Sequence, residues 1–323
     1  MSQPDPEQLR AALTASPALC PLDWNHDRSA VLCGRLSEAD YAAASFLDRR
    51  ALGAGIASGL VPWELAEPWL LPLPRTCDFI FHVSHCGSTL LARLLGETGL
   101  LAVREPGILR GLRPGDPLAR LEAVVGLLSR TFRPAQRSLV KATSVVNEIA
   151  PQLMERSPAG GAVLLFVPPE TFLAAVLDGS RSDITSHAAA RGRRMAEMGL
   201  STAPPEGIGA ATAAAWLCEI ESLRRLAAAR PDRVLWVDFN RFLDAPADSL
   251  ERICRFLGLP ADPDTMLAGP VLHRYAKKPD VPYDPAVRQR LLDAARDRLA
   301  DEIRSGLFWL ERSGWDGSLP ADC

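Results

Sequence analysis

The stretch that decides the fold reads CDFIFHVSHCGSTLLARLLGE and spans residues 77–97. Its first half, from Cys77 to Ser84, is short, apolar and β-prone, and it ends in a loop of small residues, which is typical of a buried strand. Its second half has leucines at 90, 91, 94 and 95, on one face of a helix. The stretch therefore predicts a strand, a tight loop and a helix in direct succession.

The loop between the strand and the helix, Ser84 to Thr89, has the composition of an anion-binding loop. The first turn of a helix offers backbone N–H groups without partners inside the helix, and these can bind phosphate oxygens. Gly87 lets the backbone approach such an oxygen closely, and Ser88 and Thr89 add hydroxyl donors. The lysine of the ATP-type GxxxxGK[ST] loop is missing. An ordinary strand–turn–helix junction shows the same pattern, so this alternative stays open.

Four further apolar runs follow, and helical patterns come after the second, third and fourth of them. The runs are Leu100–Val103, Ser138–Val140, Ala162–Val167 and Val234–Phe239. The helical patterns are Val145–Glu155, Thr171–Leu177, Gly209–Ala229 and Ala247–Leu257, followed by a long amphipathic region at 284–312. Strands that alternate with helices predict an α/β fold with a parallel sheet covered on both faces.

Residues 1–75 differ from the rest by their content of tryptophan, proline and alanine. The run from Ser37 to about Arg50 predicts a capped helix. The proline-rich stretch from Pro62 to Pro74 predicts an extended connection rather than a helix. We expect this segment to cover one side of the main domain, residues 76–323, and to contain no residue with a chemical role.

Composition excludes several classes of function. The 323 residues are 47% hydrophobic, enough for a core that needs no disulfide or metal. The net charge of -3 disfavours a nucleic-acid partner. The seven cysteines include no CxxC pair, which speaks against a zinc site or a disulfide framework. No signal peptide and no apolar run of membrane-spanning length are visible, so we expect a cytoplasmic protein without a membrane partner.

Two segments resemble the sulfotransferase family. HVSHCGSTLLARLL, residues 82–95, resembles the loop that binds the 5′-phosphosulfate, usually written PKSGTTW or GRSGSTLL. VLWVDFNRFLDAPADSLERICRFLGLP, residues 234–260, is similar to the late strand–helix segment of that family. Both occur in the expected order. With HRYAKKP at 273–279, the chain also looks like a bacterial group called sulfotransferase-like.

The resemblance implies a P-loop NTPase-like three-layer fold and a reaction. A sulfuryl group would pass from 3′-phosphoadenosine 5′-phosphosulfate, the cosubstrate, to a hydroxyl or amine of a small-molecule or carbohydrate acceptor. A sulfuryl group carries less charge than a terminal phosphate, so no metal is expected. The loop residues implied in cosubstrate binding are Ser84, Cys86, Gly87, Ser88 and Thr89.

Glu105 is the candidate general base. It lies 18 residues after Gly87, just past the second predicted strand, where ligands of α/β proteins bind. A glutamate at a similar place is the base in protein-tyrosine sulfotransferases, and the resemblance implies that role here. The alternative is a surface glutamate paired with Arg104 or Arg110.

Two cations are further catalytic candidates. His85 stands where the family has a lysine or arginine that contacts the bridging oxygen, and histidine can do so when protonated or as a neutral donor; otherwise it only caps the loop. Lys141 ends the third strand and is a candidate phosphate or sulfate contact, unless it extends to solvent. Cys86 could form a thiolate at a helix N-terminus, but no histidine–acid relay is visible, which favours a small filling residue.

The family's site for the 3′-phosphate is not matched. The family has an arginine after the fourth strand and a serine eight residues later, where this chain has Val167 and Ala175. Ser180, Arg181, Arg274 and Lys277 are the substitutes that we assign to cosubstrate binding. An aromatic ring in the 273–278 segment could stack on adenine while its cations meet phosphate; a solvated loop is the alternative.

Two other functions compete with sulfotransfer. A P-loop phosphotransferase would need a carboxylate for its metal, and Asp238 is the only candidate for this role in the sequence. A non-catalytic nucleotide- or anion-binding protein of the same fold would need no base, and the missing donors for the 3′-phosphate favour it.

Overall fold

The structure is a computed structural model that describes residues 5–53, 55–179, 184–186, 188, 191, 205–275, 278–282 and 284–321. Its strands are β1 (Leu19–Trp24), β2 (Ala30–Arg35), β3 (Ser58–Pro62), β4 (Asp78–His82), β5 (Leu101–Arg104), β6 (Ser138–Lys141), β7 (Ala162–Phe166), β8 (Val234–Asp238), β9 (Arg274–Tyr275) and β10 (Lys278–Pro282). Its helices include α1 (Pro6–Ala15), α2 (Glu38–Ala43), α3 (Trp63–Leu70), α4 (Ser88–Gly96), α5 (Leu118–Leu128), α6 (Ala150–Arg156), α7 (Pro169–Leu177), α8 (Gly207–Ala229), α9 (Phe239–Asp244), α10 (Pro246–Leu257), α11 (Pro263–Ala268), α12 (Pro285–Arg298) and α13 (Ala300–Arg312).

Strands β4 to β8 form one parallel sheet in the order β5-β6-β4-β7-β8. The central strand is β4, whose Ile80 pairs with Lys141 of β6 and whose Phe79 pairs with Ala162 of β7. Because the strands are parallel, the residues that follow their carboxyl ends meet along one edge of the sheet. The predicted α/β fold with a central parallel sheet is confirmed, and each strand overlaps the apolar run that predicted it.

Burial explains why these strands read as continuous apolar runs. Every residue of β4, β5, β6 and β7 is buried, as expected for a parallel sheet covered on both faces. Strand β8 lies at the edge of the sheet and is less enclosed: Val234 and Trp236 are half-buried, whereas Leu235 and Val237 are buried.

The segment before β4 differs from its prediction. Strands β1, β2 and β3 form an antiparallel sheet, in which Leu19 pairs with Arg35 and Ala30 with Pro62. This sheet was not predicted from the sequence. Helix α2 ends at Ala43, well short of the predicted end near Arg50. The extended connection predicted for residues 62–74 is wrong as well, because α3 occupies residues 63–70.

Helix α3 forms although Pro68 lies inside it. A proline in a helix interior removes a hydrogen bond and costs about 3 kcal/mol. Trp63, Ala66 and Leu70 are spaced three and four residues apart and are buried on one face. Burying each large apolar side chain contributes about 1.5–3 kcal/mol. The periodic burial of this face therefore outweighs the proline composition that suggested an extended chain.

Backbone contacts join the N-terminal segment to the outer strand β5. The N–H of Leu47 donates to the carbonyl of Arg104 at 2.8 Å, and the N–H of Gly107 donates to the carbonyl of Leu47 at 2.9 Å. The buried guanidinium of Arg104 donates to the backbone carbonyls of Tyr41, Ala42 and Ala44. These bonds bring residues 41–50 to the carboxyl edge of the parallel sheet.

The helical region predicted for residues 284–312 consists of two helices, α12 and α13, with Leu299 between them. The helix predicted at 145–155 begins as a 3₁₀ turn, Ser144–Ile149, and continues as α6. Among the described residues we find no helix that could span a membrane.

Candidate active site

A pocket of about 670 Å³ opens at the carboxyl edge of the parallel sheet. The loop from Ser84 to Thr89, together with Glu105 and Lys141 from the ends of β5 and β6, lines it. This volume is in the usual range for small-molecule sites. Phe46 and Arg50 also line the pocket, which corrects the expectation that residues 1–75 only cover the main domain.

The loop ends at the first turn of α4, with Gly87 as the N-cap. The first hydrogen bond of the helix runs from the N–H of Leu90 to the carbonyl of Gly87 at 2.9 Å, so the preceding N–H groups have no partner within the helix. Ser88 and Thr89 are buried and line the pocket. The loop therefore offers amides and hydroxyls to an anion at the positive end of the helix dipole.

Gly87 is required at its position for two reasons. Its φ of 80° lies in the left-handed region, which a residue with a Cβ adopts only at a cost. A Cβ at this position would also lie 2.1 Å from Cζ of Phe239. Phe239 follows β8 directly and stacks on Phe242, with ring centroids 5.6 Å apart. The ring of Phe239 thus occupies the space that the side chain of any other residue at position 87 would need.

Cys86 and His85, the two residues before Gly87, differ in exposure. Cys86 is fully buried, its Sγ lies 3.6 Å from the carbonyl oxygen of Leu165, and burial raises the pKa of the thiol to about 12. It is a neutral packed residue, as the sequence analysis favoured. His85 is exposed, lines the pocket and has a φ of 57°. Its imidazole is therefore accessible from the pocket.

Glu105 and Lys141 form an ion pair in the pocket wall, through the ammonium of the lysine and Oε1 of the glutamate. The backbone N–H of Glu105 also donates to the carbonyl of Lys141 at 2.7 Å. Because the Lys141 side chain is only 1% exposed, the alternative that it extends to solvent is wrong. The structure thus brings a candidate base and a candidate cation into direct contact.

The two arginines near Glu105 in the sequence have other partners. Arg104 is bound to the carbonyls of residues 41–44, and Arg110 pairs with Asp48 at 2.7 Å. The alternative in which Glu105 is a surface glutamate paired with either arginine is therefore not observed. Glu105 itself has a φ of 44°, a strained conformation of a kind found at functional sites.

A buried polar network lies behind the start of the loop, and its two charged members were not predicted from the sequence. Glu219 of α8 accepts the backbone N–H of Ser84 at 2.7 Å and the Ser84 hydroxyl at 3.0 Å. Arg191 donates to Glu219 at 2.6 Å and to the hydroxyl of Ser144 at 2.9 Å. Ser144 is therefore part of this network. The available signal was a single acidic residue in the apolar stretch AAAWLCEI, residues 213–220.

His82, the last residue of β4, is a buried histidine that also lines the pocket. Its Nδ1 lies 2.8 Å from the carbonyl oxygen of Val83. A carbonyl can only accept, so Nδ1 carries the proton and Nε2 has none. Among the described residues Nε2 has no hydrogen-bond partner. Burial, and after it the charge of Lys141, lower the pKa of His82 to about 4, so the ring is neutral at pH 7.

Comparison with known proteins gives matches among solved structures. No family model matches the sequence, and no curated protein matches it. The sulfotransferase domain from the curacin biosynthetic pathway is 15% identical, with a TM-score of 0.42, over 71% of this chain and 98% of that domain. The sulfotransferase domain of the Synechococcus PCC 7002 olefin synthase is 17% identical, with a TM-score of 0.41, over 77% and 97%.

The structural neighbours of this chain are sulfotransferases. Retinol dehydratase, solved in a complex with retinol and PAP, is another neighbour; it is 12% identical, with a TM-score of 0.42, over 99% of this chain and 97% of that one.

The two positions that the resemblance assigns to the 3′-phosphate, Val167 and Ala175, carry no donor side chain. Val167 is fully buried, and its carbonyl accepts the indole N–H of Trp216 at 3.0 Å. Ala175 lines the pocket with a methyl group. Of the predicted substitutes, Ser180, Arg181 and Lys277 lie outside the described residues, and for Arg274 the structure describes only the backbone, in β9.

The carboxylate considered for a metal has a structural role. Asp238 ends β8 and caps α9, accepting the backbone N–H of Asn240 at 2.8 Å. In the part of the chain that the structure describes, no three side chains of the metal-binding types come together. The pocket wall contains the cations Arg50, Lys141 and Arg191 beside the N-terminus of α4.

Proposed function

We propose that this protein transfers a sulfuryl group from 3′-phosphoadenosine 5′-phosphosulfate to a hydroxyl or amine of a small-molecule or carbohydrate acceptor. The observation that carries this proposal is that the N-terminus of α4 and the Glu105–Lys141 pair line the same pocket. The helix terminus can bind the anionic phosphosulfate, and Glu105 can accept the proton of the acceptor. Sulfuryl transfer needs both functions around one reacting atom.

The proposed step is a displacement at sulfur. The acceptor hydroxyl gives its proton to the Glu105 carboxylate while its oxygen forms a bond to sulfur. The bond from sulfur to the bridging oxygen breaks, and its electron pair stays on adenosine 3′,5′-bisphosphate. The loop amides and His85 would stabilise the charge that grows on that oxygen. The ion pair with Lys141 holds the carboxylate of Glu105 in place.

The residues fit one half of the cosubstrate better than the other. The loop suits the 5′-phosphosulfate, whereas Val167 and Ala175 offer no side-chain donor to a 3′-phosphate. This observation favours, as a second candidate, a nucleotide- or anion-binding protein without catalysis. A phosphotransferase is supported less, because Asp238 is engaged as a helix cap.

Thermal unfolding of the full chain separates these functions. We expect adenosine 3′,5′-bisphosphate to raise the Tm without magnesium, because a ligand that binds only the native state stabilises it by mass action. A shift with ATP and magnesium alone would favour the phosphotransferase. Binding of the bisphosphate without sulfate transfer to a panel of alcohols, amines and sugars would favour the non-catalytic protein.

A further inference from the structure

Arg191 is a buried arginine in the wall of the pocket, close to the start of the loop. Its side chain is 4% exposed, yet it lines the pocket together with Ser84 and Ser144. We propose that Arg191 contacts the anionic group that the loop binds, and that Glu219 is the residue that positions it. The identification of this group as a sulfuryl group rests on the proposed function.

The guanidinium is fixed by three hydrogen bonds. Nε and Nη2 donate to Oε1 of Glu219 at 2.9 and 2.6 Å, and Nη2 also donates to Oγ of Ser144 at 2.9 Å. A guanidinium has five N–H donors in a rigid plane. These bonds use Nε and Nη2, and Nη1 makes no hydrogen bond to any described residue. The three bonds fix the plane of the guanidinium, so the two N–H groups of Nη1 point in one fixed direction.

The ion pair has its cation at the pocket and its anion behind it. Arg191 is part of the pocket wall, whereas Glu219 is fully buried and does not line the pocket. The carboxylate of Glu219 is turned toward the backbone N–H and the hydroxyl of Ser84. This arrangement presents positive charge to an anion and satisfies the buried carboxylate with hydrogen bonds. The Glu105–Lys141 pair differs, because both of its members line the pocket.

The network also indicates which end of the cosubstrate Arg191 would meet. Ser144 follows β6, and Ser84 follows β4. The pair Glu105 and Lys141 lies on the same side of the loop, since β6 pairs with both β5 and β4. Arg191 therefore lies close to the carboxyl end of β6, the strand that also carries Lys141. Because Lys141 and its partner Glu105 line the pocket with Arg191, we infer that Arg191 meets the oxygens of the group being transferred rather than the adenosine.

Inorganic sulfate is the probe for this inference, titrated into the full chain at constant ionic strength set with chloride. Arg191→Gln combined with Glu219→Gln removes the cation without leaving a buried charge, and the new amide oxygen can still accept the N–H of Ser84. A charged hydrogen bond contributes about 1.5–3 kcal/mol, so we expect the double variant to bind sulfate about 10–100-fold more weakly than the wild type.

Three matched variants complete the test, with circular dichroism as the check of folding. Glu219→Gln alone keeps the arginine but loses part of the hydrogen bonding that positions it, so we expect it to bind sulfate more weakly than the wild type and more tightly than the double glutamine variant. Arg191→Lys combined with Glu219→Gln keeps the charge and should recover most of the affinity. Arg255→Gln removes an exposed arginine paired with Glu251 and should change nothing.

The inference is overturned if the double glutamine variant binds sulfate as well as Glu219→Gln does. It is also overturned if Arg191→Lys combined with Glu219→Gln binds sulfate no better than the double glutamine variant. A wild-type protein that sulfate does not stabilise overturns it as well. The proposed function is tested separately with adenosine 3′,5′-bisphosphate: dependence of sulfate binding on Arg191, without any effect of the bisphosphate, supports the inference and contradicts the function.

Discussion

At the scale of single residues, Glu105 and Lys141 depend on each other. The lysine is almost completely buried, and the carboxylate is its ion-pair partner. Removing one member of a buried pair leaves an uncompensated charge, which destabilises more than the intact pair stabilises. A substitution of either residue therefore changes the free energy of unfolding as well as the chemistry, and the two effects have to be measured separately.

We expect Glu105→Gln to lower turnover by about 10²–10⁴ and the free energy of unfolding by about 1–3 kcal/mol. Glutamine cannot take the proton of the acceptor, and it leaves the ammonium of Lys141 without its counter-charge. Turnover at saturating cosubstrate and urea unfolding measure the two effects. The double variant Glu105→Gln/Lys141→Met should regain stability and stay inactive; recovery of its turnover would move the base to another residue.

His82 predicts a pH dependence of stability. Its pKa is about 4 in the folded chain, below the ordinary value of 6.5, so between these values the unfolded state binds a proton that the folded state does not. The free energy of unfolding therefore rises with pH across this window, and this contribution is lost on acidification. Between pH 7 and pH 4.5 the wild type should lose ~2 kcal/mol more than His82→Asn. If the free energy of unfolding changes with pH in the same way in the wild type and in His82→Asn, a neutral, buried His82 is contradicted.

At the scale of elements, the contact between the loop and α9 can be tested at Gly87. Gly87→Ala places a Cβ against the ring of Phe239, whereas a Cβ at Gly115, which has a similar φ of 84°, meets nothing within 4 Å. We expect Gly87→Ala to destabilise the protein by about 1–3 kcal/mol more than Gly115→Ala and to weaken sulfate binding. Urea unfolding and sulfate titration of both variants measure this. Equal losses of stability in the two variants would show that backbone strain alone explains why position 87 requires glycine.

The parallel sheet could be predicted from the sequence because burial on both faces leaves a continuous apolar signature. The loop could be predicted because small residues between a strand and a helix are local features. Helix α3 and the antiparallel sheet β1-β2-β3 were not predicted, because proline content in the first case and the absence of clear alternation in the second concealed the burial pattern.

The candidate site was predictable only where its residues follow directly on strands. Glu105 and Lys141 were found because each comes at the carboxyl end of a strand. Glu219 contacts the loop at Ser84 from 135 residues away in the sequence, and Arg191 joins it from another distant segment, so only tertiary packing brings them there. Phe46 was missed for the same reason.

At the scale of the whole molecule, the N-terminal segment and the parallel sheet share one hydrophobic cluster, which includes Trp63 and Leu70 as well as Phe79 and Leu128. Arg104 adds hydrogen bonds between the two parts. We therefore predict that they unfold together, with a calorimetric enthalpy equal to the van't Hoff enthalpy. Arg104→Met should uncouple the unfolding of the N-terminal segment from that of the parallel sheet, so that the calorimetric and van't Hoff enthalpies differ. Two separate transitions in the wild type would contradict the prediction.

His85 keeps a side chain at a backbone position where glycine would cost less. In a library with all twenty residues at position 85, sorting for survival of heating should therefore enrich glycine, because a left-handed φ costs other residues about 1–2 kcal/mol. Sorting the same library for sulfate transfer should enrich histidine, lysine and arginine. If glycine is the most enriched residue in both selections, the imidazole takes no part in the reaction. If heating enriches glycine and sulfate transfer enriches histidine, lysine or arginine, a strained residue is retained at position 85 because of its chemistry.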